Sequence, residues 1–153
     1  MNGQILFITD GSPSADAAGE TAIRLAREMK MPLKAVFILD EGWKYLLGDE
    51  WINTSSTRMK FFHWFEYELK NHAETVLNEF AKKAKDQNVK VEVGIKIGKT
   101  EKVITKLTVE KPTTFLILPN PHATTPAAAA GLRFNLNRLA KKVTCQIILG
   151  PGQ

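Results

Sequence analysis

Cysteine is almost missing from this chain. Cys145 stands alone, so no disulfide can close within the sequence, which excludes a disulfide-stapled scaffold. Lying in the apolar run Cys145-Gln146-Ile147-Ile148-Leu149, it reads as a small buried hydrophobe rather than a reactive thiol. Histidine is scarce as well: His63, His72 and His122 share no zinc-site spacing with one another, and Cys145 is far along the chain, which argues against a metal centre. His63 and His72 are expected on the surface of a helix. No apolar run approaches the ~20 residues that span a bilayer, so no membrane partner is expected. The opening Met1-Asn2-Gly3-Gln4 lacks the basic stretch of a secretory signal, and the expected location is cytoplasmic. Charge of one sign is not gathered in blocks either. The 21 Lys and Arg are interspersed with 16 Asp and Glu for a net charge of +5, so the sequence does not indicate nucleic-acid binding.

What is present is an ordinary globular composition, 44% hydrophobic and 24% charged over 153 residues, expected to fold as a single domain over residues 1–153. Short runs rich in β-branched and aromatic residues predict strands at Ile5 to Thr9, Leu33 to Leu39, Val89 to Ile97, Thr114 to Leu118 and Cys145 to Leu149. Helical periodicity fills the intervals. Ala15, Ala18, Ala22, Leu25, Ala26 and Met29 follow the cap Ser12-Pro13, and Pro32 closes that helix. A long helix from about Thr57 to Asp86 carries the stripe Phe62, Phe65, Leu69, Ala73, Val76, Phe80 and Ala84. A third begins near Thr100 and packs Val103, Ile104 and Leu107; a fourth packs Leu136, Leu139, Ala140 and Val143, with Arg133, Arg138, Lys141 and Lys142 mostly outward. Strands alternating with helices imply right-handed crossovers onto a buried parallel sheet, an α/β doubly wound fold.

Strand one with its turn reads Ile5-Leu6-Phe7-Ile8-Thr9-Asp10-Gly11-Ser12, and an alanine-rich helix follows. The second strand ends in Asp40, Val91 to Gly98 leads into a helix, and an apolar strand closes the chain after Cys145. In this combination the chain resembles the universal stress protein family. The resemblance implies a five-stranded parallel sheet of order 3-2-1-4-5 with helices on both faces (adenine nucleotide alpha hydrolase-like). It also implies that some members bind adenine nucleotide over the carboxyl ends of strands one and four, where such sheets bind ligands.

Asp10 matches the family aspartate that contacts the adenine or ribose region. It also has a purely local reading, as a turn residue whose carboxylate accepts from its own following amides. The family's phosphate loop, Gly-x-x-Gly, about nine residues, then Gly-Ser or Gly-Thr, is degenerate here. After strand four the chain runs Pro119-Asn120-Pro121-His122-Ala123-Thr124-Thr125-Pro126, with proline and histidine in place of the two glycines. The later Gly-Ser position falls on Leu132-Arg133, with Gly131 one residue early. Glycines there let backbone amides approach phosphate closely, and proline has no amide to offer. ATP binding in the usual mode is therefore not expected, and no cofactor is expected. The alternative is an ATP or AMP binder, with slow ATPase activity conceivable, whose contacts are Asp10, Gly11, Ile38, Asn120 and Asn135.

Gly94-Ile95-Lys96-Ile97-Gly98-Lys99-Thr100 imitates a P-loop, but its glycine spacing is one residue short and Ile95 and Ile97 suit a strand. Asp10 with Ser12 lacks a neighbouring histidine and a Gly-x-Ser-x-Gly elbow, so no hydrolase site or other catalytic residue is assigned. Eight of the thirteen aromatic residues lie from Trp43 to Tyr67: Trp43, Tyr45, Trp51, Phe61, Phe62, Trp64, Phe65 and Tyr67. Two readings stand for that region. Trp43, Leu46, Leu47, Trp51 and Ile52 pack as a satellite cluster on the long helix, or the aromatics line a ligand or partner surface. The last strand is expected at the sheet edge, and by the resemblance a homodimer forms there through Ile147, Ile148 and Leu149. The function expected is binding or regulation in a stress response, without catalysis.

Overall fold

The computed structural model describes residues 3–40, 55–121 and 132–151, with the backbone alone for 55–62. Among these residues five strands alternate with four helices: β1 (Gln4–Thr9), α1 (Pro13–Met29), β2 (Leu33–Asp40), α2 (Ser55–Asp86), β3 (Val91–Gly98), α3 (Thr100–Glu110), β4 (Thr113–Leu118), α4 (Leu136–Lys142) and β5 (Gln146–Leu149). The strands form one sheet of order β3-β2-β1-β4-β5, all neighbours parallel. The chain therefore reverses its direction of winding beside β1, opening a crevice over the carboxyl ends of β1 and β4.

Local chemistry sets the helix ends. The Ser12 hydroxyl accepts from the Ala15 amide at 3.1 Å, and Pro13 starts α1 with a pre-set φ. At its other end Lys30 turns left-handed (φ 54°) and the Met31 amide donates to the Ala26 carbonyl, so α1 stops at Met29, before Pro32. Asn88 does the same after α2, with φ 63°.

The sheet is covered on both faces. One core packs Phe7, Ala35 and Phe37 against Ala18, Ala22 and Ile23 of α1 and Ala73, Leu77 and Phe80 of α2. The rings of Phe7 and Phe80 lie 4.9 Å apart. Alanines and Gly19 bring α1 close to the strands; a Cβ on Gly19 would come within 2.9 Å of Phe80 Cε1. The second core packs Leu6, Ile8, Val36 and Leu116 against Ile104, Leu107 and Leu139.

The predicted stripes largely face these cores, with exceptions. Met29 is exposed in the last turn of α1 and Ala140 because Leu139 and Val143 take the inward side of α4, while Ile23 and Leu77, absent from the predicted stripes, are buried. β3 starts at Val91 rather than Val89, whose amide is drawn back to the Ala84 carbonyl by the turn after α2. Cys145 lies just outside β5, half-buried, with burial raising its thiol pKa.

Candidate functional site: the carboxyl edge of the sheet

Asp10 and Gly11 leave the end of β1. The Asp10 carboxylate accepts from the Ser12 amide at 3.0 Å, the local turn that is one of its two readings, and the Gly11 amide donates to Thr9 Oγ1 at 3.1 Å. Gly11 holds a φ of +78°, which an L side chain adopts only at a cost. A Cβ there would also lie 3.1 Å from Val76 and 3.4 Å from His72 Nε2. His72 is thus an exposed residue, as expected, that also stands over the β1 turn, edge-on to Phe37 at 5.9 Å.

Ile38 is fully buried near the end of β2, inside the second core. Asn120 follows β4 and meets the start of α1: its amide donates to Ser14 Oγ at 2.9 Å, and Ser14 in turn donates to the Pro151 carbonyl at 2.8 Å. The Asn120 side chain reaches the Gly150 carbonyl at 3.5 Å. One buried hydroxyl therefore joins the segments after β4 and β5 to the helix that begins beside Asp10.

Asn135 belongs to a different cluster. Its side chain caps α4 by accepting from the Arg138 amide at 2.9 Å, and its own amide donates to Glu101 Oε2 at 2.9 Å. Around it, two carboxylates gather the start of α3 and the segment before α4. Asp40, buried at the end of β2, accepts from the Thr100 amide (3.0 Å) and hydroxyl (2.6 Å). It thus caps α3 from a neighbouring strand, a role that the preceding Lys99 side chain does not fill. Thr100 Oγ1 then accepts from the Arg133 amide at 3.1 Å. Glu101 takes a two-pronged grip from Arg138, both contacts at 2.7 Å, with Lys142 at 3.5 Å. The Arg138 hydrogen bonds, outweighing the cost of burial and helped by the Asn135 amide, push the Glu101 pKa down to about 2.

Sequence reasoning missed this clamp. Gly98-Lys99-Thr100-Glu101 is the false P-loop: the chain passes from strand to helix across a single residue, and Thr100 and Glu101 bind backbone amides instead of phosphate and metal. Its one signal was the acidic end of β2.

Between α1 and α2 lies a cavity of about 100 Å³ whose lining includes Phe7, Gly11, Asp16 and Phe80. Burial raises the Asp16 pKa, against the opposing pull of Lys83. Among the described residues no cluster of His, Cys, Asp and Glu suits a metal ion, and no helix is long and apolar enough to cross a membrane.

The family model of the universal stress protein family matches residues 1–149. The chain belongs to this family. No protein with a curated description matches the sequence. Among solved structures it is similar to the universal stress protein UspA from Lactobacillus plantarum, at 17% identity and a TM-score of 0.74, covering 98% of each chain. It is also similar to a universal stress protein in complex with cAMP, at 17% identity and a TM-score of 0.66, covering 99% of this chain and 98% of that one. A third is the universal stress protein from Archaeoglobus fulgidus in complex with dAMP, at 13% identity and a TM-score of 0.61, covering 99% and 100%. These identities speak for the shared fold. In this universal stress protein the aromatic residues Trp43, Tyr45, Trp51, Phe61 and Phe62, along with His122, lie outside the described side chains, while Trp64 and Tyr67 are 58% and 63% exposed.

Proposed function

We propose that this universal stress protein, working as a single cytoplasmic domain in a homodimer, has a binding or regulatory role in the stress response and does not hold ATP through a backbone phosphate cradle. One observation carries this reading: the amides bordering the post-β4 segment already have side-chain acceptors. The Asn120 amide donates to Ser14, the Arg133 amide to Thr100 and the Asn135 amide to Glu101. Leu132-Arg133 stand at the family's Gly-Ser position, and Pro119 and Pro121 offer no amide at all. A triphosphate seated there would have to displace these bonds and face the buried carboxylates of Asp40 and Glu101. Titration calorimetry with Mg-ATP tests the proposal. Little or no heat is expected up to millimolar nucleotide, whereas stoichiometric binding at low micromolar concentration would defeat it.

A second reading, an adenine-nucleotide binder using Asp10, Gly11, Ile38, Asn120 and Asn135, draws support from the fold neighbours solved with cAMP and dAMP. Each of those nucleotides carries a single phosphate and asks for fewer amides. The same calorimetry with AMP and cAMP separates the two readings: binding of either at micromolar concentration, with ATP silent, favours the second.

A further inference from the structure

The basic residues that look scattered along the sequence are sorted by the fold. The layer of α3 and α4 with its flanks, residues 99–111 and 132–143, holds eight Lys and Arg against two Asp and Glu; α1 and α2 on the opposite face hold eight of each. Among the described helices the excess of positive charge therefore lies on the α3–α4 side of the sheet. The two acids do little to reduce it outwardly. Glu101 is buried beneath Arg138 and Lys142, and Glu110 makes only an exposed 3.8 Å pair with Lys106.

From this sorting we propose that the α3–α4 face binds the phosphate backbone of duplex nucleic acid without reading its sequence. Lys102 and Lys106 are exposed four residues apart on α3, and the exposed cap residue Lys99 precedes them by three, one stripe from the cap along the helix. The stripe is ~10 Å long at ~1.5 Å per residue, comparable with the three steps between four successive phosphates at ~3.4 Å of rise per strand. Across a groove of about 390 Å³, lined by Lys102, Thr105, Lys106, Val109, Glu110 and Lys142, α4 adds a second row from Lys141 and Lys142, beside Arg138 in its grip on Glu101.

Other occupants fit less well. Val109 is the sole large exposed hydrophobic residue described on these two helices, which leaves little to insert into a lipid surface. Single strands are gripped by stacking on aromatic side chains, and Phe134, the one aromatic residue in the layer, is packed against the core. A second copy of the same face would bring like charges together.

The test is fluorescence anisotropy with a labelled mixed-sequence 24-base-pair duplex, run in parallel with flotation on phosphatidylserine vesicles. We expect binding at 50 mM salt that weakens about 100-fold by 200 mM, the loss that release of counterions from roughly four phosphates produces. The triple variant K102E/K106E/K141E should lose at least tenfold in affinity. K82E/K83E/K85E on α2, with an identical change in net charge, should lose less than threefold; circular dichroism of both verifies that the fold is kept. Equal losses in the two variants would show that overall charge acts rather than this face, and would overturn the proposal. So would duplex affinity too weak to detect at 100 μM protein, or binding to the vesicles alone.

Discussion

Exchanging Glu101 for glutamine keeps the shape of the side chain and removes its charge. In the folded protein the carboxyl titrates at about 2 rather than the ordinary 4.5, a difference of about 2.5 units. At about 1.36 kcal/mol per unit this corresponds to an upper limit of about 3.4 kcal/mol. The carboxylate is covered chiefly by the side chains that bind it, and Arg138 and Lys142 are themselves 62% and 46% exposed, so water screens the pair. We therefore discount the effect to about 1–2 kcal/mol. For a chain of this size that is a fall in Tm of about 2–8 °C at pH 7. Because folding lowers this pKa, the stabilisation is complete above pH 4.5 and disappears as pH falls through about 2. Urea unfolding of wild type and E101Q at intervals from pH 7 to pH 2 measures it: the two curves should lie apart at neutral pH and converge in acid. A gap that is absent at pH 7, or that persists unchanged to pH 2, would refute the attribution to this carboxylate.

Ser14→Ala leaves the Asn120 amide and the Pro151 carbonyl without their buried partner and should cost about 1–3 kcal/mol by urea unfolding, with a loss below about 0.5 kcal/mol counting against the role given to Ser14. For the assembly, β5 is the edge strand beside β4, with Ile147, Ile148 and Leu149 only partly buried, and light scattering at tens of micromolar should report twice the 17.1 kDa of one chain. A mass of one chain would remove the proposed dimer.

The fold was legible because short continuous apolar runs and helical periods differ, and they alternate along this chain. Ile5 to Thr9 alternates with nothing and reads as a strand buried on both faces; Ala15 to Ala26 repeats at three and four and reads as a helix lying against it. The strand order came from the family resemblance, since periodicity alone does not say which strands are neighbours. The site was legible only where chemistry is local. Asp10 binds an amide two residues away, which a turn signature announces. Asp40 caps a helix sixty residues later, and Glu101 grips Arg138 thirty-seven residues on. Those pairings depend on which strand and helix ends the topology places together. The charge sorting depends on the same topology: no acid follows Glu110 in the sequence, but Lys102 and Lys106 join Arg138, Lys141 and Lys142 on one side only once the sheet divides the helices.

Ser14 has a consequence for motion. Its hydroxyl spans intervals of 106 and 137 residues, so the first turn of α1 and the segments after β4 and β5 are tied at one atom. Fraying of one segment on that side of the crevice rim costs a bond to the other two. Loosening one of these segments leaves the others with an unpaired buried group, so hydrogen exchange at the Asn120 amide should be faster in Ser14→Ala than in the wild type.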